Sequence, residues 1–170
     1  MFQIEQTYDL AGLTVLCRAA RKTVRRWARI VRGVCWGVFG LGVGLIALLL
    51  LCWGELPKAW HLLVFAAMLL LLLTEDRLNA WVAWKQLLPG SAHSVTVFTP
   101  EAYTVTTDTT ETVYHYENIT SLCESKGYFL FFLGKRHGQL FDKRGFQTGA
   151  VDEFRAFVEK RTGMSFRKIK

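Results

Sequence analysis

The chain has 170 residues, a formal net charge of +7 and a hydrophobic fraction of 51%. This length suits one small soluble domain beside a membrane part. Much of the excess positive charge lies in residues 1–33, directly before an apolar segment. That position favours anionic lipid head groups as the partner and argues against nucleic acid. The four cysteines include no Cys-x-x-Cys pair, which excludes a zinc site or a disulfide framework.

The first elements in chain order are a strand and a basic helix. Residues 1–8 alternate between apolar and polar side chains, which predicts a strand that joins the C-terminal sheet. Residues 9–33 show the apolar spacing of an amphipathic helix. This helix lies flat in the inner-leaflet interface, or it continues the first membrane span and packs on protein. In both placements its basic face is expected at the membrane surface: Arg18, Arg21, Lys22, Arg25, Arg26, Arg29 and Arg32.

Two apolar segments predict a membrane α-helical hairpin. The first, residues 34–53, carries no charge, and at about 1.5 Å per residue it reaches about 30 Å, the thickness of the hydrocarbon core. The second, residues 56–74, starts at an interface-favouring Trp60 and a Pro57 that suits a first helical turn. The loop of residues 54–58 is too short to hold a domain, so the two helices are antiparallel neighbours. Residues 75–88 predict a cytoplasmic helical extension.

The distribution of Lys and Arg predicts the orientation of this hairpin. Seven basic residues precede the first span, and Arg77 and Lys85 follow the second, whereas the connecting loop holds only Lys58. Basic residues favour the cytoplasmic side of a membrane. We therefore expect a multi-pass protein with the loop outside the cell and with both termini in the cytoplasm.

The first span also carries a predicted helix-packing face of four glycines. Spacings of four, three and four residues place them on one side of the helix: Gly33, Gly37, Gly40 and Gly44. Small residues at such spacings allow close contact between helices in membranes. The face either contacts a second protein, including another copy of this chain, or forms the groove in which the second span packs. The short loop favours the groove.

Beyond Gly90 the period changes to that of strands, which predicts a separate α+β cytoplasmic domain at residues 91–170. About six short β-branched or aromatic runs are separated by turn residues. The first run alternates through Val95 and Val97. A helix is predicted at about residues 150–161, with Phe154 on its apolar face. These elements indicate a small antiparallel sheet or barrel closed by a C-terminal helix.

This order of elements resembles the YcxB-like family of bacterial membrane proteins. The residues that carry the resemblance are Tyr103, Val105, 114–119, 128–131, 140–146 and Phe154. The resemblance implies a C-terminal domain of pleckstrin-homology-like shape and a location in the bacterial inner membrane. It implies no activity, because the family carries none that transfers to this chain.

The sequence contains no catalytic or cofactor-binding motif. His-Glu-x-x-His, the P-loop and Gly-x-Ser-x-Gly are all missing, so we expect no enzyme, no cofactor and no metal site. One cluster of basic turn residues is a candidate patch for lipid phosphates or an acidic partner: Lys135, Arg136, Lys143 and Arg144. The hypothesis places these turns at one rim of the sheet. The alternative interpretation is ordinary solvated turn charge.

Two functions are consistent with these patterns. The first is a non-enzymatic membrane protein that presents a pleckstrin-homology-like interaction domain at the inner leaflet, where it binds a protein or anionic lipids. The second is an accessory or immunity-type subunit of a membrane complex, recognised through its transmembrane helices. The glycine face distinguishes the two, because only the second function requires it.

Overall fold

The structure is a computed structural model that describes residues 1–54, 58–87, 89–135 and 137–169, without the side chains of Arg26 and Trp53. The helices are α1 (Leu10–Thr23), α2 (Arg26–Trp53), α3 (Ala59–Lys85) and α4 (Val151–Thr162). The strands are β1 (Phe2–Thr7), β2 (His93–Phe98), β3 (Ala102–Thr107), β4 (Glu111–His115), β5 (Ser121–Glu124), β6 (Tyr128–Phe132), β7 (Gly138–Asp142), β8 (Phe146–Thr148) and β9 (Arg167–Lys168). We call β1 together with the described residues of 91–169 the β domain.

Two long apolar helices, α2 and α3, stand apart from the β domain. Each is long and apolar enough to cross a membrane, judged by length and composition, over Trp27–Cys52 and Ala59–Lys85. The segments predicted at 34–53 and 56–74 are parts of these longer helices, and the extension at 75–88 is continuous with α3, because no helix-breaking residue separates them. Residues 55–57 of the predicted loop, and Leu88, lie outside the described residues. At the end of α2, Gly54 has a φ of 65°, which glycine adopts readily.

The basic helix predicted at 9–33 is broken in two, so the expectation of one continuous helix is wrong. The Asp9 side chain caps α1 by accepting a hydrogen bond of 2.7 Å from the Gly12 N–H. The helix ends at Thr23, and Arg25 has non-helical backbone angles before α2 begins. The break lets α1 lie on the β domain while α2 runs beside α3, which one straight helix cannot do. The apolar period continues across the break and therefore conceals it.

The β domain contains two sheets, and β1 belongs to the first of them. That sheet has the order β4-β3-β2-β1-β8, and β1 pairs antiparallel with β2 from Phe2 opposite Phe98 to Thr7 opposite His93. The second sheet has the order β7-β6-β5-β9. The sequence predicted six strands between residues 91 and 170, whereas the described residues also include β8 and β9. These two strands have three and two residues, too few to show a period.

An aromatic core fills the space between the two sheets and α4. Phe154 of α4 is fully buried, and its ring centroid lies 4.8 Å from that of Phe98 and 5.2 Å from that of Phe129. The outer face of β6 is also covered: Leu130 and Phe132 pack against α1 through a second cluster. Because both faces of β6 are buried, α1 is part of the β domain as well as its link to α2.

Candidate functional site

Two carboxylates of α3, those of Asp76 and Glu75, link this helix to α1 and α2. Arg21 of α1 donates two hydrogen bonds to Asp76, from Nε at 2.9 Å and from Nη2 at 2.6 Å. Hydrogen bonding to Asp76 raises the pKa of Arg21. Arg32 of α2 pairs with Glu75 at 3.1 Å. A two-point arginine–carboxylate pair fixes geometry as well as charge, so the Arg21–Asp76 pair holds α1 and α3 in register. The single Arg32–Glu75 contact links α2 to α3 at the same level.

The seven residues of the predicted basic face therefore have different surroundings. Arg18, Arg21 and Arg32 are paired with Asp76 or Glu75. The remaining described side chains are exposed: Lys22, Arg25 and Arg29. The side chain of Arg26 lies outside the described residues. We call the exposed three, which surround the break between α1 and α2, the junction cations.

The described members of the basic turn patch lie at opposite ends of β7, so the prediction that they share one rim is wrong. Lys135 precedes the strand and Lys143 follows it. Five residues of strand, at about 3.3 Å each, separate the two positions by roughly 17 Å. The cause is that a single strand connects the two turns. Arg136 lies outside the described residues.

Lys143 is part of the interior rather than of a binding surface. Its Nζ donates to Glu124 Oε1 at 2.5 Å and to the Ser125 carbonyl at 3.0 Å, and it lies over the Phe129 ring. Glu124 is only 6% exposed and also accepts two hydrogen bonds from Arg155, at 2.6 Å and 3.1 Å. We call Glu124, Lys143 and Arg155 the buried ion cluster.

The protonation of Glu124 follows from this geometry. Burial alone raises the pKa of a carboxyl group, because it disfavours the charged form. The hydrogen bonds from Arg155 and Lys143 outweigh burial, and the net pKa of Glu124 is lowered. The carboxylate is therefore ionised at neutral pH and joins the second sheet to α4. Arg144, the sequence neighbour of Lys143, is instead exposed and paired with Asp142 at 2.8 Å.

The predicted glycine face does not pack against α3. A methyl group added at any of its four members would meet no atom within 4 Å: Gly33, Gly37, Gly40 and Gly44. The close approach occurs at Gly42, where an added Cβ would collide with the Phe65 ring. The groove interpretation favoured by the short loop is therefore wrong for these four residues. The reason is that α3 lies on the side of α2 that carries Gly42.

A cavity of about 400 Å³ lies where α1 and the end of α3 meet the β domain. The sequence analysis did not predict this cavity, because it took Val95 and Val97 as the inward-facing residues of β2. Ser94, Thr96 and Phe98 face inward and are fully buried, whereas Val95 and Val97 are only half-buried. The signal was Phe98, the largest apolar residue of the strand, which is in phase with Ser94 and Thr96.

Metal ligation has no candidate in the part of the chain that the structure describes. There, no three His, Cys, Asp or Glu side chains converge in an arrangement for a metal ion. The four cysteines are free, and burial raises the pKa of the Cys123 thiol. A lowered thiol pKa, the usual mark of a reactive cysteine, is therefore not found at Cys123.

Comparison with known proteins agrees with the resemblance seen in the sequence. The family model described as YcxB-like protein matches residues 98–158, which extend from the end of β2 into α4. A search of curated proteins and a search of solved structures found no match. The match confirms the predicted resemblance to the YcxB-like family over residues 98–158.

Proposed function

We propose that the protein is a non-enzymatic integral protein of the bacterial cell membrane that holds a pleckstrin-homology-like β domain against the inner leaflet. The observation that carries this proposal is the apolar exposure of the two long helices. Leu41 of α2 is 68% exposed, and Leu63 of α3 is 71% exposed. A helix that is apolar all round needs an apolar environment, and a bilayer supplies it.

The position of the charges supports cytoplasmic termini. The ion pairs of Asp76 and Glu75 lie next to the junction cations. This level corresponds to the start of α2 and to the second half of α3. Trp27, at the start of α2, is 75% exposed, as expected for a side chain in the head-group region. At this level the junction cations contact anionic lipids, and each contributes about 1 kcal/mol to that attraction.

The arrangement of strands supports the pleckstrin-homology-like shape. β2, β3 and β4 follow one another within one sheet, and β5, β6 and β7 do so within the other. α4 comes after both and closes the core with Phe154 and Val158. The ion pairs between α1 and α3, together with the packing of α1 on β6, hold this domain at a fixed position beside the membrane.

Anionic-lipid contact is tested with Arg25→Gln combined with Arg29→Gln. Full-length protein is reconstituted in nanodiscs that contain phosphatidylcholine and spin-labelled phosphatidylglycerol, and the immobilised lipid fraction is measured. Removing two junction cations is expected to lower the selectivity for phosphatidylglycerol several-fold, since each is worth about 1 kcal/mol.

The matched control removes two exposed charges from α4, Lys160→Gln with Arg161→Gln. α4 packs on the core on the inner side of β6, whereas α1 covers the outer face of β6, so these charges lie on a different side of the β domain from the junction. The control is expected to keep the selectivity of the wild type. Equal loss in both variants, or no loss in either, would contradict specific lipid contact at the junction.

A second candidate function is that of an accessory or immunity-type subunit recognised through its helices. The specific observation in its favour is the open space beside Gly37 and Gly40, which α3 leaves uncovered. Small residues with free space beside them allow another transmembrane helix to approach.

This second function predicts that Gly37→Ile with Gly40→Ile abolishes association with a helix partner without unfolding the chain. The measurement is chemical crosslinking in native membranes from Lys58, followed by electrophoresis. Gly42→Ile is the contrasting variant, because it should disturb the packing of α3 through Phe65. Crosslinked species that persist in the Gly37/Gly40 variant would rule out this face as the contact.

A further inference from the structure

The cavity of about 400 Å³ is a slot that follows α1. Its lining follows α1 from Leu13 to Ala20, which at about 1.5 Å per residue is roughly 10 Å, and continues beyond the end of that helix to Arg25. Ala83 of α3, Leu87 just beyond that helix and Val105 of β3 add apolar surface. A long and mainly apolar slot fits an extended aliphatic chain better than it fits a compact polar metabolite.

The inner part of the slot contains an unused hydrogen-bonding group. Ser94 is fully buried, lines the cavity, and its Oγ has no hydrogen-bond partner among the described residues. Buried hydroxyl groups are normally satisfied, because an unmade hydrogen bond is costly. Tyr8 and Gln139 also line this cavity, and burial raises the pKa of Tyr8 to about 12, so its phenol is neutral. Gln139 Oε1 already accepts a hydrogen bond of 2.7 Å from Tyr103, so Ser94 is the group that suits an uncharged polar group on the occupant.

The other end of the slot is cationic and leads toward α2. Arg25 and Lys135 line it, and Arg25 Nε donates to the Lys135 carbonyl at 3.4 Å. The same two residues line a neighbouring cavity of about 520 Å³ that also touches Trp27 and Ala28 at the start of α2. The two cavities therefore adjoin at Arg25 and Lys135, the cationic end of the slot.

We propose that this slot binds a single-chain anionic amphiphile with an uncharged hydroxyl or carbonyl group along its chain. The anionic head lies between Arg25 and Lys135, the chain lies against Leu13, Ala83 and the neighbouring apolar side chains, and the uncharged polar group bonds to Ser94. Entry from the inner leaflet rests on the proposed membrane insertion, but binding within the slot does not. The head group is a carboxylate, as in a fatty acid, or a phosphate, as in a lysophospholipid.

Binding is measured with full-length protein in phosphatidylcholine nanodiscs and with dansylundecanoic acid as the fluorescent probe. A saturable fluorescence increase is expected beyond that of empty nanodiscs. Dodecanoic acid and lauroyl lysophosphatidic acid are then added separately as competitors. Displacement by the first alone identifies a carboxylate ligand, and displacement by the second alone identifies a phosphate ligand. The proposal is overturned if the probe gives no saturable signal or if neither competitor displaces it.

Ala83→Trp fills the slot from α3 and is expected to weaken probe binding about tenfold or more, because it removes the volume that the chain occupies. Val82→Trp is the matched control, since Val82 is 45% exposed and does not line the slot. Far-UV circular dichroism checks that both variants are folded. Wild-type affinity in a folded Ala83→Trp protein overturns the proposal.

Two further variants test the ends of the slot without filling it. Arg25→Glu with Lys135→Glu is expected to weaken dodecanoic acid about tenfold and to leave dodecanol unchanged. Ser94→Ala is expected to remove the advantage of terminally hydroxylated dodecanoic acid over dodecanoic acid, an advantage of about fivefold. Equal effects on the charged and uncharged ligands, or a hydroxyl advantage that survives Ser94→Ala, count against the assigned orientation.

Membrane insertion is checked separately by alkaline extraction of native membranes. Protein that resists extraction but fails to bind the probe contradicts the slot proposal alone. Protein that is extracted but binds the probe contradicts membrane insertion alone. The two failures are therefore distinguishable.

Discussion

Replacement of Lys143 by methionine is expected to lower the free energy of unfolding of the β domain by about 2–4 kcal/mol. Methionine keeps most of the length and apolar character of the stem but removes the cation that contacts Glu124 at 2.5 Å. Among the described residues, Arg155 is then the remaining charged partner of Glu124, which stays buried. Removing one member of a buried ionic group is costly because the other charge stays desolvated.

Arg144→Met is the matched control, because Arg144 is the sequence neighbour of Lys143 and carries the same charge. Its side chain is 80% exposed, and its partner is Asp142. The stability of the β domain is expected to stay unchanged within error, as for most exposed ion pairs. If the two substitutions destabilise the domain equally, the buried ion cluster is not the structural unit described above.

The measurement must report on the β domain itself. All six tryptophans lie between residues 27 and 84, so tryptophan fluorescence follows the helices and not the sheets. Hydrogen exchange with mass spectrometry on the full-length protein resolves peptides from β5, β6 and β7. Faster exchange in these peptides for Lys143→Met, but not for Arg144→Met, is the expected result.

Gly145→Ala is expected to destabilise the β domain by about 3 kcal/mol and to release β1 from β8. A Cβ at this position would overlap the backbone carbonyl oxygen of Glu5 and would touch the Ile4 side chain. Backbone cannot move aside as a flexible side chain can, so β1 itself must shift. Ile4 is fully buried in the core, and β1 lies between β2 and β8 in the first sheet.

Gly127→Ala is the control for this substitution. A Cβ at Gly127 meets no atom within 4 Å, and its backbone does not require the left-handed region. Its expected effect ranges from none to a small stabilisation, because alanine restricts the unfolded chain. Hydrogen exchange of the peptide that contains β1 is the readout. Protection of β1 that is unchanged in Gly145→Ala would contradict the close contact with Glu5.

The sequence predicts the features of this protein that repeat over many residues. The apolar helices extend over 28 and 27 residues, so neither depends on the identity of one side chain. Phe2 and Ile4 of β1 alternate with polar residues, and the pairing of β1 with β2 places Phe2 opposite Phe98. Such patterns average many weak preferences, which is why they predict element type better than boundaries.

The features that the sequence does not predict depend on single contacts between distant residues. The break at Arg25 follows from the docking of α1 on β6, and the apolar period gives no sign of it. Lys143 is not available to the candidate patch because it pairs with Glu124, which lies 19 residues earlier in the chain. Lys143 and Arg144 look alike in sequence because a basic residue in a turn gives no indication of whether a buried carboxylate lies beside it.

The orientation of the α2–α3 hairpin in the membrane is tested most directly by the accessibility of single cysteines in whole cells. The four native cysteines are replaced by alanine, and Lys58→Cys is introduced before the first residue of α3 or Glu111→Cys on β4. The cells are then treated with a membrane-impermeant maleimide. We predict that Lys58→Cys reacts in intact cells and that Glu111→Cys reacts only after the membrane is permeabilised. Reaction of Glu111→Cys in intact cells, or protection of Lys58→Cys until permeabilisation, would contradict a hairpin that crosses the membrane with the β domain inside.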